Sequence, residues 1–591
     1  MTTSRRLVAL VSPDRGIEGD WDESATGPDG CTVLFTGWLH DRTQLAGTLE
    51  IPAPRQVTNA ELVLHAYTRW EQATFARLRG VFGLVLWDAR RRAVYVVRDQ
   101  VGAHPLFRAD GRGVRLVSPS IDALLADPRV SREPDRPALV GFVAQCMPYQ
   151  EETPYRFVRR IPQGHVWELT EQGSRTFRYW DPAPDSRAVE WAEPEELAGF
   201  ERLFEQAVRR CLGLGRAGIY LSGGIDSVTV AAFASRLSDN EAGTAPIALS
   251  LAFPGDESEV AIQQSVAKQL AVRQVMLPVE DAAPDGLIRS ALATAAEWPL
   301  PPVSPWVPAY LALNRAAADV GCETILTGGG GDEWLTVSPM WMADLVKSGR
   351  FVELVRFAST LRRSYALRPR QVLGNVWRFG FRRVLLDAVS SRSRSAAAYR
   401  VRRRLGAIPS WVAPDPELHQ ELRDRLRSSL PERPNGSAYF AEIRRVLEHP
   451  VADMYMEELY ESCRRFGLQP ALPFWDTDLI TLLYRVPPPR LSSEGRSKGL
   501  VRELLDRRFP DAGFGRQRKA VAAGFFNNLF RREARWIMND FGPVRALATL
   551  GVVDLPSLEK SFHDALDPAR GLRPEWLWDM LCAEAWARTH L

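Results

Sequence analysis

Along the first 180 residues short alternating or apolar runs recur at Cys31–Phe35, Gly83–Trp87, Val94–Val97, Val114–Val117 and His165–Leu169. Each is bounded by Gly, Pro or Asp, and such runs closed by turn residues predict strands. One stretch, Asn59–Arg69, has helical spacing instead. Between 181 and 195 the pattern lapses into a polar, Pro-rich segment that predicts a linker. Past residue 196 short apolar runs (Ala217–Leu221, Ile247–Phe253, Glu323–Leu326) alternate with helix-favouring ones (Val228–Leu237, Glu259–Leu270). This alternation predicts a parallel, doubly wound sheet with ligands at the carboxyl ends of its strands. From about 335 onward the spacing is mostly helical. The pattern thus divides the chain into a β-rich domain over 1–180, a linker over 181–195, and an α/β domain with added helices over 196–591.

Composition narrows the partners. The chain has 591 residues, 45% hydrophobic and 25% charged, and a formal charge of +3. Near-neutral bulk charge gives no reason to expect nucleic acid or a membrane as partner. The N-terminal apolar stretch stops by Ser12-Pro13-Asp14, too short for a secretory signal. The six cysteines are scattered with no Cys-x-x-Cys, which fits a reducing, cytoplasmic setting and excludes a disulfide framework. Charge is uneven locally: from Lys347 to Arg404 there are sixteen Lys or Arg against two acids, Glu353 and Asp387, interleaved with Phe, Trp, Tyr and Leu. Such a segment reads either as solvated helix faces or as a surface for an acidic or extended partner.

The chemistry begins at Leu221-Ser222-Gly223-Gly224-Ile225-Asp226-Ser227, a glycine turn between a strand and a helix. Glycines there let backbone N–H groups approach an anion, and the helix N-terminus favours negative charge. Ser222, Gly223, Gly224 and Ser227 are therefore expected to cradle the phosphates of ATP, and Asp226 to hold Mg²⁺ against them. A second loop, Thr327-Gly328-Gly329-Gly330-Gly331-Asp332-Glu333, follows the next strand. Asp332 supplies a second metal carboxylate, while the glycines, Gly330 among them, are expected to leave room for a ligand.

These loops resemble those of the asparagine synthetase superfamily, which carries Ser-Gly-Gly-x-Asp-Ser and Gly-Glu-Gly-Ser-Asp-Glu motifs. Arg79-Gly80-Val81-Phe82-Gly83, Leu86-Trp87-Asp88 and Arg98-Asp99-Gln100-Val101-Gly102 resemble the family's N-terminal amidotransferase domain. Leu472-Pro473-Phe474-Trp475-Asp476 and Lys498-Gly499-Leu500-Val501-Arg502 resemble its C-terminal signatures. The resemblance implies an N-terminal Ntn-hydrolase-like αββα fold followed by an adenine-nucleotide α-hydrolase-like domain, with ATP and Mg²⁺ as cofactors. It also implies adenosine contacts through Leu221 and Ser250, and a transition-state lysine at Lys519, with Arg518 as the neighbouring choice.

The departures set the expected subtype. The family's glutaminase uses a cysteine at the mature N-terminus, where this chain has Thr2-Thr3-Ser4. Thr36-Gly37-Trp38 replaces its Asn-Gly-Glu triplet, and Gly329 stands where a loop Glu is found. The resemblance then implies a domain that supplies no ammonia and an enzyme whose nucleophile is an amine of its own substrate. A lasso peptide cyclase fits this pattern: it adenylates an Asp or Glu side chain of a precursor peptide, and the peptide N-terminus attacks to form a macrolactam. Glu457 is a candidate acid–base group for that attack. Expected partners are the precursor peptide, a leader peptidase and a leader-binding protein. Competing readings are an ammonia-dependent asparagine synthetase, a β-lactam-synthetase-like ligase and a non-catalytic ATP-binding scaffold.

Overall fold

The computed structural model describes residues 7–591 except 52–55, 183–189, 241–243, 256–257, 366, 391–393, 430–436, 494, 518–522 and 567–573. In the N-terminal region two antiparallel sheets stack face to face. One runs Gly16–Asp20, Val8–Ser12, Val114–Ser118, Phe107–Gly111, Val158–Arg160. The other runs Gly173–Arg178, His165–Thr170, Ala93–Arg98, Gly80–Asp88, Thr32–Leu39, Glu23–Thr26. Val11, Val117, Leu34, Val85 and Val96 meet between them. The outer face of the second sheet is covered by the helix Asn59–Trp70, through Leu62, Val63 and Tyr67. The outer face of the first packs on Arg136–Val143 and on C-terminal helices. The result is the four-layer αββα arrangement. Every residue of Ala93–Arg98 is buried, since both faces of that strand are covered. Thr58 caps the Asn59 helix, with Glu61 reaching back to the Thr58 N–H.

The second region is built on five parallel strands in the order Arg273–Pro278, Ile247–Ala252, Ala217–Tyr220, Thr324–Leu326, Gln469–Ala471. Ala217–Tyr220 is central, and its neighbour Thr324–Leu326 pairs Ala217 with Thr324 in parallel register. Both glycine loops therefore leave the same sheet edge from adjacent strands, a few ångströms apart. Two strands escape the sequence pattern. Arg273–Pro278 is half-buried with no clear alternation, and Gln469–Ala471 is three residues long, paired with Thr324–Leu326 after a helical excursion.

The two regions meet through buried charge. The helix Pro450–Arg464 sends Asp453 and Glu457 to Arg98 and Arg160 of the N-terminal region. Arg98 Nη1 lies 3.2 Å from Asp453 Oδ1 and 3.2 Å from Glu457 Oε1. Arg160 grips Glu457 with two bonds, at 2.5 and 2.8 Å. At the far edge Arg79 donates to Asp478 at 2.8 Å.

Candidate functional site

The first loop is a self-supporting turn. Ser222 N–H donates to Ser227 Oγ at 3.2 Å, the two hydroxyls lie 2.9 Å apart, and Gly224 N–H donates to Ser222 Oγ at 3.2 Å. The helix Ile225–Asn240 starts immediately after it, so its first-turn N–H groups project past the strand end. Gly223 is already spoken for: its N–H donates to Glu259 Oε2 at 2.8 Å. Of the expected phosphate donors, Gly223 thus serves the loop's link to the Val260–Gln269 helix. Leu221 is also engaged, its N–H with Leu249 O at 2.8 Å and its carbonyl with Ser250 Oγ at 2.8 Å. Ser250 is fixed in turn by Gln274 at 2.9 Å. These two residues tie the strands together at the end where the adenosine contacts are expected.

The second loop corrects the expectation of spare room. A side-chain carbon on Gly331 would stand 2.3 Å from Asp226 Cγ, and one on Gly328 would stand 2.7 Å from the Ser227 nitrogen. Gly330 has φ +97°, its missing Cβ would meet Phe474 and Trp475 at 2.8–2.9 Å, and its N–H donates to Glu333. Gly330 is a turn residue rather than a nucleotide donor. The space beside Gly329 is taken by the Tyr455 hydroxyl, 2.9 Å from where a Cβ would sit. The glycine run is dictated by how closely the two loops approach each other, not by a gap left for substrate.

That approach brings the two predicted metal carboxylates together on a third residue. Lys498 Nζ donates to Asp226, and lies 2.7 Å from Asp332 Oδ1. Lys498 is 4% exposed and sits at the N-cap of the helix Gly499–Arg508 with φ 67°. A lysine in the left-handed region is a costly conformation that persists only where its surroundings enforce it. Burial by itself would lower its pKa, but the Asp226 and Asp332 carboxylates outweigh burial and raise it, so it stays a cation. The sequence carried Lys498 inside a recognised signature, yet only the hairpin Ser492–Ser493 with Arg496–Ser497 delivers its ammonium to the loops.

The donor set suits Mg²⁺. A hard dication of this kind takes one or two protein carboxylates and completes its shell with phosphate oxygens and water. Asp226 and Asp332 offer that pair, and among the described residues no cluster of three or more metal-ligating side chains competes with them. Lys519 and Arg518 lie outside the described residues. The turn before them is anchored by Arg502, which donates to Gln517 O at 3.1 Å.

Glu457 is placed elsewhere. Its carboxylate is committed to Arg160 and Arg98 in the buried interface, which removes it from acid–base work and makes it a structural anchor. The same helix reaches the site through Tyr455 instead. Tyr455 reaches the Gly329 loop beside Thr327, and burial, with Tyr310, Glu333 and Glu458 around it, pushes its phenol well above the ordinary range. Its phenol therefore keeps its proton and is no base. Asp332 and Glu333 also open onto a cleft of about 460 Å³ walled by Leu361, Tyr365, Asn375 and Ile443.

The Thr36-Gly37-Trp38 segment lies in the strand Thr32–Leu39, with Trp38 on a cavity shared with His40, Arg79 and Val81. Thr36 is 1% exposed and donates to Asp22 at 2.5 Å. A Cβ on Gly37 would stand 2.2 Å from Val81 O. Cys31 is buried beside Asp88, and burial raises its thiol. Thr2 lies outside the described residues.

Comparison with known proteins agrees with this architecture. Residues 199–588 match the asparagine synthase family model, and residues 27–180 match a glutamine amidotransferase domain. The chain is 26% identical over 226 residues to asparagine synthetase (glutamine-hydrolysing) 3 of Bacillus subtilis, covering 37% of this chain and 36% of that protein. It is 24% identical over 489 residues to amidase chyE of Penicillium rubens, covering 77% of this chain and 70% of that protein. The match thus spans about a third of the Bacillus relative's length. With two thirds of its residues inside the family model, the chain belongs to the asparagine synthase family.

Proposed function

We propose that this chain is an ATP-dependent, AMP-forming carbon–nitrogen ligase that closes a macrolactam on a precursor peptide, as a lasso peptide cyclase does. The observation that carries the reading is the Asp226–Lys498–Asp332 cluster at the strand ends, opening through Asp332 onto a cleft far larger than an amino acid needs. In the first step an Asp or Glu side-chain oxygen of the peptide attacks the α-phosphorus of ATP, and the bond to the bridging oxygen breaks as pyrophosphate leaves. The Ile225 helix N-terminus and the Ser222–Ser227 hydroxyl pair receive the departing pyrophosphate charge. Lys498 offsets the charge that develops between the carboxylates and the phosphates. Asp226 and Asp332 would hold Mg²⁺, which would supply further charge neutralisation there.

In the second step the peptide's N-terminal amine attacks the acyl carbon, the bond from that carbon to the phosphate oxygen breaks, and AMP leaves with the electron pair, its phosphate taking the proton that the amine releases. Tyr455 donates to the oxygen that gains charge. A folded peptide already presents its amine at high effective concentration. The replacement of the family's Asn-Gly-Glu triplet by Thr36-Gly37-Trp38 supports an internal amine over ammonia from glutamine. A leader peptidase and a leader-binding protein are the partners this chemistry requires upstream.

The test is ATP-dependent pyrophosphate release with acidic peptides against aspartate plus ammonium, with mass spectrometry following loss of one water from the peptide. Peptide turnover that vanishes in Asp226→Ala supports the proposal. Turnover on free aspartate would replace it with an asparagine synthetase.

A further inference from the structure

Nine of the fourteen exposed large apolar side chains among the described residues fall within 351–399, a small part of the chain. They are not scattered. Leu373, Trp377, Phe381 and Leu385 recur at every fourth residue from the helix Pro369–Asn375 into the helix Arg382–Ser390. In a straight α-helix a spacing of four drifts steadily around the axis. Here the middle of the run, Val376–Phe381, is a π-helix, whose wider turn counters that drift and keeps the four side chains in one line.

The opposite side of the run is seated on the protein. Gly380 is buried so closely on Trp341–Lys347 that a Cβ would meet Val346 at 3.3 Å, which turns Trp377 and Phe381 outward. The neighbouring helix Phe351–Tyr365 extends the patch: Phe351 stacks on Phe381 with centroids 6.4 Å apart and rings 10° from parallel. Val352 and Val355, 67% and 68% exposed, continue it one turn further.

The rim carries one sign of charge. Arg356, Arg370 and Arg378 are exposed around the stripe. The only two acids of the segment are already neutralised, Glu353 by Arg350 at 2.7 Å and Asp387 by Arg383 at 3.2 Å and Lys347 at 3.6 Å. A folded protein partner presents both signs and a defined relief. An anionic bilayer presents one sign over hydrocarbon, and a basic-rimmed face of Trp, Phe, Leu and Val is what such an interface receives. The chain's net +3 does not oppose this, because the positive charge is concentrated here and balanced elsewhere.

We propose that the face formed by Phe351–Tyr365 and the Leu373–Leu385 stripe docks the protein on an anionic membrane leaflet. No helix among the described residues is long and apolar enough to cross a membrane, so the attachment is peripheral: apolar tips enter the acyl boundary and arginines meet the headgroups. This inference is independent of which substrate the ligase uses.

Flotation of the full chain with vesicles of phosphatidylcholine alone, and of phosphatidylcholine mixed with phosphatidylglycerol, tests it. The expected result is co-flotation only with the anionic vesicles, weakened by salt. The exposed-site variant Val355→Asp/Leu373→Asp/Trp377→Asp should lose that flotation while its thermal unfolding is unchanged. Arg356→Ser with Arg378→Ser should weaken partition about thirtyfold. Absence of flotation with anionic vesicles, or flotation equal in the Asp variant and the parent, overturns the proposal. So does tight binding of a synthetic Glu-rich amphipathic helix without vesicle binding, which would assign the face to a protein partner.

Discussion

At the scale of single residues, the site turns on Lys498, a buried cation shared by two carboxylates from different loops. Lys498→Ala should leave Asp226 and Asp332 facing each other without compensation and lower pyrophosphate release by roughly 10²–10³-fold, as loss of a charge-stabilising donor does. A retained rate would remove Lys498 from the chemistry and return that role to the 518–519 segment. Tyr455→Phe separates the two half-reactions. It should leave ATP–pyrophosphate exchange near the parent rate and slow lactam formation about tenfold, since one hydrogen bond is lost only after the adenylate forms. Equal loss in both assays would show that Tyr455 holds the Gly329 loop instead.

At the scale of elements, the helix Pro450–Arg464 is the hinge of the architecture. One face reaches the second glycine loop through Tyr455. Another binds the N-terminal region through Asp453 and Glu457. A third, Glu458, caps the turn before the helix Val307–Asp319 by accepting from the Val303 and Ser304 N–H groups at 2.7 and 3.0 Å. Burial lifts Glu458 to about 8, against an ordinary value near 4. Between those values the folded chain holds a proton that the unfolded chain has released, so the stability Glu458 contributes is complete below about pH 4 and drains away as pH rises towards 8. Glu458→Gln keeps an acceptor but cannot titrate. Urea midpoints of parent and variant from pH 5 to 8 should therefore converge or cross, with the parent losing ground as pH rises. A pH-independent difference would place the proton elsewhere.

At the scale of the whole molecule, the N-terminal region is a structural partner of the ligase region. Arg98 and Arg160 are buried with Asp453 and Glu457 across the interface, and breaking such a pair leaves a charge stranded in the interior at a cost of about 3–5 kcal/mol. Arg160→Ala should lower the urea midpoint of both regions together, and calorimetry of the parent should show the two unfolding in one transition. Two resolved transitions, with only one moved by Arg160→Ala, would mean that the regions are energetically separate.

Much of this was legible in the amino-acid order because it is written in local pattern. The strand–turn–helix around Ser222–Ser227, the second loop ending in Asp332, and the change from a β-rich region to alternating strands and helices all rest on periodicity and glycine placement within a few residues, whereas the αββα layering came from the family resemblance. The tertiary structure decided what depends on contacts between distant segments. Gly329 reads as open space until Tyr455, more than a hundred residues later, is found filling it. Glu457 reads as a reactive acid until two arginines from the N-terminal region close on it. Gln469–Ala471 has no strand pattern of its own and becomes one only because the edge of Thr324–Leu326 is there to pair with. Lys498 is one lysine in a helical signature until a two-residue hairpin turns it into the space between Asp226 and Asp332. Sequence period specifies which way a side chain faces on its own element; what it faces is set by packing, and in this protein the chemistry lies in what the side chains face.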